Sequence, residues 1–248
     1  MSRAASLFFA GIAYAIFFAT FLYLIAFVGD LPFAPVTIDR GPEAPVAVAV
    51  VVDLALIAIF GLQHSLMARP GFKRAWKRVV PEHLERSVYV LAASAALIVL
   101  FLFWMPIPQT VWDATRTALN FPLWLLFAAG WGIVLLSTFL INHFELFGLQ
   151  QAWFHSRGRE AGPPELRQPF FYRWVAHPLY AGFFLAFWAA PQMSAGHLLF
   201  AIGMSAYILI AIRYEERDLT NLFGRDYENY RAGVGMLMPR FRRPKSPA

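Results

Sequence analysis

Two short polar stretches in the C-terminal third hold most of the residues whose types and spacing can do chemistry. The first reads Tyr172-Arg173-Trp174-Val175-Ala176-His177-Pro178-Leu179-Tyr180-Ala181-Gly182. Pro178 fits the first turn of a helix, where its missing N–H costs nothing. The start of that helix presents free backbone N–H groups and the positive end of the helix dipole. A ligand carboxylate suits such a place, and His177 could cap the helix or touch the ligand. The plain alternative is a helix start with an interfacial His and Tyr. The second stretch reads Arg213-Tyr214-Glu215-Glu216-Arg217-Asp218-Leu219, followed by Phe223-Gly224-Arg225-Asp226-Tyr227-Glu228-Asn229-Tyr230. Two adjacent carboxylates directly beyond an apolar run are costly unless solvated or paired. They suit a sulfonium, an ammonium or the hydroxyls of a ribose. Tyr227 and Tyr230 are three apart, as neighbours on a helix face are, and could stack on an adenine. The alternative is a solvated helix end in which Arg213 and Arg217 pair with the glutamates.

The elements that must position these stretches are membrane spans. The chain has 248 residues, 59% hydrophobic and only 15% charged, against about a quarter charged in soluble domains. A bilayer core about 30 Å thick needs roughly 20 apolar residues in a helix. Residues 5–29, 46–67, 87–105 and 121–142 meet that requirement. Beyond a polar stretch at 143–177 lie 178–190 and 197–213, separated by Pro191 and Gly196. The first of this pair is short and reads as one arm of a helical hairpin that does not fully span alone. The expected architecture is an all-α integral membrane protein, a single domain over 1–248, with five to six transmembrane helices. All Lys and Arg except Arg40 and Arg116 fall on one set of connections and on the two termini. By the positive-inside rule both termini and the segments 143–177 and 213–248 are cytoplasmic. Those two segments flank the hairpin, so they must meet, which makes one cytoplasmic-side site out of two polar stretches.

His-Pro-x-Tyr-x-Gly opening a hairpin, followed by Glu-Glu-Arg-Asp-Leu and Phe-Gly-x-x-Tyr-x-x-Tyr, resembles the isoprenylcysteine carboxyl methyltransferase superfamily, which includes the NnrU-type membrane proteins. The resemblance covers roughly the last 80 residues. It implies a membrane methyltransferase using S-adenosylmethionine and releasing S-adenosylhomocysteine. Carried over residue by residue, it points to His177, Pro178, Tyr180, Gly182, Glu215, Glu216 and Tyr230 as cofactor contacts, with Gln151, Tyr172, Arg173 and Tyr227 beside them. Ala176 stands where many relatives have Arg, so Arg173, another base or backbone N–H groups must serve the cofactor's carboxylate. Further motifs look like the bacterial methanethiol S-methyltransferases: Asn142-His143-Phe144-Glu145-Leu146-Phe147-Gly148-Leu149-Gln150-Gln151, Phe187-Trp188-Ala189-Ala190-Pro191-Gln192-Met193, Gly196-His197-Leu198-Leu199 and Gln63-His64-Ser65-Leu66-Met67. That likeness spans most of the chain. It implies a small lipophilic thiol as acceptor, methanethiol giving dimethyl sulfide, and a bacterial inner membrane. Another lipophilic thiol or an isoprenylcysteine carboxylate would also suit a greasy pocket.

Methylating a thiol calls for a base, because the thiolate is the better nucleophile. His64 and His143 lie at the cytoplasmic ends of the second and fourth spans, with Glu145 two residues after His143. Asp53 stands 11 residues before His64, about three helical turns, and so shares its face. His64 is the expected base, with Asp53, His143 and Glu145 as supporting or alternative groups. The plain alternatives are an interfacial histidine and an aspartate that only ties helices together. His64, His143 and His177 could instead ligate a haem or a metal, although no pair has the spacing of neighbours one helical turn apart. With no cysteine, disulfide and thiolate chemistry of the protein itself is excluded. No Gly-rich dinucleotide or phosphate-loop motif occurs. The basic residues flank the spans, which leaves no separate surface for nucleic acid. The oligomeric state cannot be read.

Overall fold

Inside a bilayer the backbone has no water to bond to, so long runs of Phe, Leu, Ala, Ile and Val must satisfy their own N–H and C=O groups as helices. The computed structural model describes residues 2–159, 162 and 165–240. The helices are α1 (Arg3–Val28), α2 (Val46–Ala68), α3 (Pro70–Trp76), α4 (Glu85–Phe103), α5 (Asn120–Ile141), α6 (His143–Leu146), α7 (Leu149–Ser156), α8 (Pro178–Trp188), α9 (Ala195–Phe223) and α10 (Arg225–Gly233). Five helical stretches, α1, α2, α5, α9 and α4 with the short turn before it, are long and apolar enough to cross a membrane, and α8 is a shorter apolar helix. The expected all-α architecture is therefore what the chain adopts.

The hairpin is asymmetric. The 11 residues of α8 reach about 16 Å at 1.5 Å per residue, well short of a bilayer core. The remaining depth is covered by extended chain. Strand β1 (Thr110–Asp113) pairs antiparallel with β2 (Gln192–Ser194). Trp112 Nε1 donates to the Ala190 carbonyl at 3.0 Å. This ladder closes the end of the bundle remote from the two polar stretches, where no strand was expected. The same end is tied by Trp104 Nε1 donating to the Ile38 carbonyl at 3.0 Å and by Ser194 Oγ donating to Asp39. Across the hairpin, Trp188 Nε1 donates to Ser205 Oγ at 2.9 Å.

Two close approaches set the frame of the site. On α5 and α8, a Cβ at Gly130 would stand 2.6 Å from the Ala186 nitrogen, and one at Gly182 would stand 2.7 Å from the Gly130 carbonyl oxygen. The two backbones therefore touch, as small residues allow in membrane helices. Gly182, expected among the cofactor contacts, faces α5 instead, and the motif's glycine is explained by packing. Gly182→Val has no relaxed solution there, and overpacking of this kind costs about 1–3 kcal/mol. The thermal midpoint of the purified protein is expected to fall; an unchanged midpoint would refute the close contact. On α2 and α9, which run parallel, Gly61 lies against Tyr207 and Gly203 against Ile57. At the polar end, Arg69 pairs with Asp218 at 2.9 Å.

Candidate active site

Two carboxylates of α9 and the first turn of α8 form the centre of the site. Tyr180 donates its O–H to Glu215 Oε2 at 2.8 Å. His177 Nε2 lies 3.2 Å from Glu216 Oε1, and its Nδ1 is 4.0 Å from Glu215 Oε2. The His177 side chain is almost wholly buried, whereas Glu215 keeps 42% of its side-chain surface and Glu216 27%. His177 and Tyr180, three apart at the start of one hairpin arm, thus meet adjacent carboxylates on the other arm. The carboxylates keep open faces toward solvent.

The chain beyond α9 folds back to complete the site. Gly224, at φ +55°, makes the turn after α9, and α10 brings Arg231 to Glu216, where its Nε donates to Oε1. Arg231 also donates to the Val234 carbonyl at 3.2 Å. The following residues pair with the segment before α8. The Ala176 N–H donates to the Gly235 carbonyl at 2.8 Å, the His177 N–H to Met236 at 3.1 Å, and the Gly235 N–H to Trp174 at 3.1 Å. Tyr230 donates to the Tyr172 carbonyl at 2.8 Å. Pro178 occupies the first position of α8, as its fixed φ favours. Arg173 is exposed, and the guanidinium that reaches the glutamates is Arg231, a residue the sequence reading did not single out.

Three phenols surround the carboxylates. Burial raises the pKa of Tyr172, with Glu215 adding to the effect. Burial also raises Tyr227, helped by Glu216 and Glu215, and takes Tyr230 to about 12. All three are neutral O–H donors at pH 7. The Tyr227 hydroxyl is buried without a partner, and its ring centroid lies 6.0 Å from that of Tyr230. A buried donor without an acceptor is costly. These residues fit S-adenosylmethionine by chemistry: acceptors for cations and ribose hydroxyls, aromatic faces, and the start of α8. Gln151 lies further off, donating its Nε2 to the Glu145 carbonyl at 3.0 Å.

The base candidates separate. His64 projects from α2 among Phe60, Tyr89 and Tyr207, with ring centroids at 5.3, 5.0 and 6.3 Å. Its Nδ1 is buried without a partner. Asp53 is not brought to it: the carboxylate lies toward the other end of α2 and accepts the Met105 N–H, just beyond α4, at 2.9 Å. The shared helix face was correct as geometry, but the bond goes across to another helix. His143 is a satisfied core histidine. Thr138 Oγ1 spends its proton on the Leu135 carbonyl at 2.7 Å, so His143 donates from Nδ1 to that oxygen at 2.8 Å. Its Nε2 then accepts the Tyr14 O–H at 2.8 Å. Glu145 accepts from Asn142 Nδ2 at 2.9 Å and shapes the turn after α5.

Burial lowers the pKa of His143. With the folded value below the unfolded one, the unfolded chain binds more protons between the two, so stability is present above the unfolded value, about 6.5, and is lost as pH falls below it. The thermal midpoint is expected to drop between pH 7 and pH 5, and less so in His143→Gln; equal slopes in both proteins would refute this. The haem or metal alternative needs the three histidines together. Each sits among different partners, and among the described residues no group of three His, Cys, Asp or Glu side chains is placed to hold a metal ion.

Fold and site define the class: a polytopic helical membrane protein with its polar site at one end of a helical hairpin. No family model matches the chain, and no solved structure matches it. Individual proteins do. The methanethiol S-methyltransferase of Mycobacterium tuberculosis is 48% identical over 239 residues, covering 96% of this chain and 98% of that protein. Methanethiol S-methyltransferase 1 of Bradyrhizobium diazoefficiens is 49% identical over 227 residues, 92% of this chain and 79% of that protein. Nurim of Danio rerio is 29% identical over 184 residues, 70% of this chain and 66% of that protein. The chain belongs to the methanethiol S-methyltransferase family, and it is an integral membrane methyltransferase.

Proposed function

We propose that the chain transfers a methyl group from S-adenosylmethionine to methanethiol, giving dimethyl sulfide. The observation that carries the cofactor reading is the convergence of Glu215 and Glu216 with His177, Tyr180 and Arg231 around open carboxylate faces. The segments 143–177 and 213–248 contribute the polar side of the site; residues 160, 161, 163, 164 and 241–248 lie outside the described residues. S-adenosylmethionine supplies an electrophilic methyl carbon on a sulfonium. Glu215 and Glu216 hold its cationic groups or its ribose hydroxyls, Tyr227 and Tyr230 its adenine, and the first turn of α8 its carboxylate. His64 takes the thiol proton on Nδ1. S-adenosylmethionine, when bound, would supply its methyl carbon to the acceptor sulfur and keep the electron pair of the broken carbon–sulfur bond. Holding the partners in line and away from water accounts for the remaining rate.

Membranes carrying the protein, given methanethiol and S-adenosylmethionine, are expected to release dimethyl sulfide into the headspace. No release above membranes lacking the protein would overturn the reading. Methylation of an isoprenylcysteine in place of methanethiol would move the chain to the other branch of substrate chemistry.

The distribution of Lys and Arg supports a site on the cytoplasmic side with both termini inside, and the likeness to bacterial relatives supports an inner membrane. Reporter fusions at residue 248 and within 106–120 are expected to give opposite signals. A C-terminus outside would put the site in a compartment without the cofactor.

A further inference from the structure

We infer that Phe60, His64, Tyr89 and Tyr207 form the acceptor subsite and that the Tyr207 ring is its size limit. This rests on the methyltransferase reading and goes beyond it, because none of the three aromatic residues belongs to a motif that suggested the activity.

Depth places the cluster. Helices α2 and α9 run parallel, with Gly61 against Tyr207 and Arg69 against Asp218. In that register His64 lies about one helical turn deeper in the bundle than Glu215. Tyr180 connects the two levels: its hydroxyl is on Glu215, and its ring packs, like that of Tyr207, against the apolar cluster that contains Phe60. The aromatic cluster therefore stands directly beneath the carboxylates. That is where an acceptor arriving from the bilayer would meet a methyl group held above it.

The chemistry of the lining is one-sided. Three aromatic rings and one imidazole offer a methyl or methylene group an apolar enclosure. Its buried polar atom without a partner is His64 Nδ1, which suits an acceptor with one acidic hydrogen and a short hydrocarbon end. Tyr89 fixes this wall, donating to the His64 carbonyl at 3.3 Å. Tyr207 crosses α2 at Gly61, one turn before His64, where a Cβ would come within 2.9 Å of its ring. The missing side chain at Gly61 is what lets the ring lie under the imidazole. An acceptor longer than one carbon has to displace it. Apolar pockets discriminate a methylene by about 10–200-fold, so a well-placed ring is enough to make a one-carbon thiol the preferred acceptor.

The test compares kcat/KM for methanethiol, ethanethiol and 1-propanethiol in the full-length protein, with binding of S-adenosylhomocysteine as the check on folding. Tyr207→Ala is expected to raise the propanethiol-to-methanethiol ratio at least tenfold, with cofactor affinity within twofold of wild type. Tyr207→Phe keeps the ring and is expected to keep the wild-type ratio. Gly61→Ala displaces the ring and is expected to alter the ratio, mainly through KM. Gly132→Ala, where a Cβ meets nothing within 4 Å, is expected to leave it alone. An unchanged ratio in Tyr207→Ala, while wild type still forms dimethyl sulfide, overturns the subsite and leaves the activity standing. A wild-type protein inactive on every thiol overturns both.

Discussion

His64→Ala is expected to lower turnover of methanethiol by about 10²-fold or more, the usual scale for losing a positioned base, while binding of S-adenosylhomocysteine survives. The expectation follows from elimination as much as from position. His143 has spent both ring nitrogens, on Thr138 and Tyr14. Glu145 is engaged by Asn142. Asp53 holds the Met105 N–H at the remote end of α2. Among the four expected base candidates, His64 Nδ1 and Asp53 Oδ2 are buried without a partner, and of the two only His64 lies near the carboxylates that would hold the methyl donor, Asp53 being at the remote end of α2. Taking a thiol out of water disfavours its thiolate, so the proton must leave after the acceptor has arrived, or the thiolate must pay for desolvation on entry. Without His64 only thiolate formed before binding can react. The variant's rate is then expected to climb in proportion to the thiolate fraction in solution, more steeply with pH than wild type. Headspace rates measured across pH for both proteins check this. A folded His64→Ala with wild-type turnover would remove the base and leave proximity and desolvation as the whole of the catalysis.

Much of this arrangement is legible in the sequence because it depends on quantities a sequence carries directly. Span lengths follow from apolar runs, and the meeting of the two polar stretches follows from a hairpin between them. That reasoning brought His177 and Tyr180 within reach of Glu215 and Glu216, as the hydrogen bonds have it. The misplacements have a common origin in contacts between helices that are distant in sequence. Asp53 and His64 do share a face of α2, but a buried carboxylate takes whichever donor is close, and that donor came from the segment just after α4. Gly182 sits within a cofactor-like motif, yet its face of α8 was decided by the approach of α5. Tyr89 and Tyr207 look like ordinary aromatics of a lipid-facing span until the helix partners are known. Arg231 follows a left-handed turn at Gly224, and nothing local says that the chain reverses there to reach Glu216. The β1–β2 ladder is too short to show a period.

Glu216→Ala and His177→Ala are each expected to weaken binding of S-adenosylhomocysteine at least tenfold, about 1.4 kcal/mol. Glu216 Oε1 accepts from both His177 and Arg231. Removing the carboxylate therefore takes away a ligand contact and also leaves a cationic guanidinium and an imidazole facing each other where a cationic ligand group would sit. His177→Ala acts differently: it removes a donor to Glu216 and opens space at the first turn of α8, while Arg231 still holds the carboxylate. Because the two residues share one hydrogen bond, their effects should not add. The double variant is expected to lose less than the product of the single losses, as coupled neighbours do. Arg231→Ala separates the ligand contact from the anchoring of α10. If Glu216 serves only to hold α10, Arg231→Ala will match Glu216→Ala in affinity and in thermal midpoint. If Glu216 faces the ligand, Glu216→Ala will cost affinity beyond that match. Calorimetric titration of the purified proteins measures each value, and folded single variants that bind as wild type would place the cofactor elsewhere.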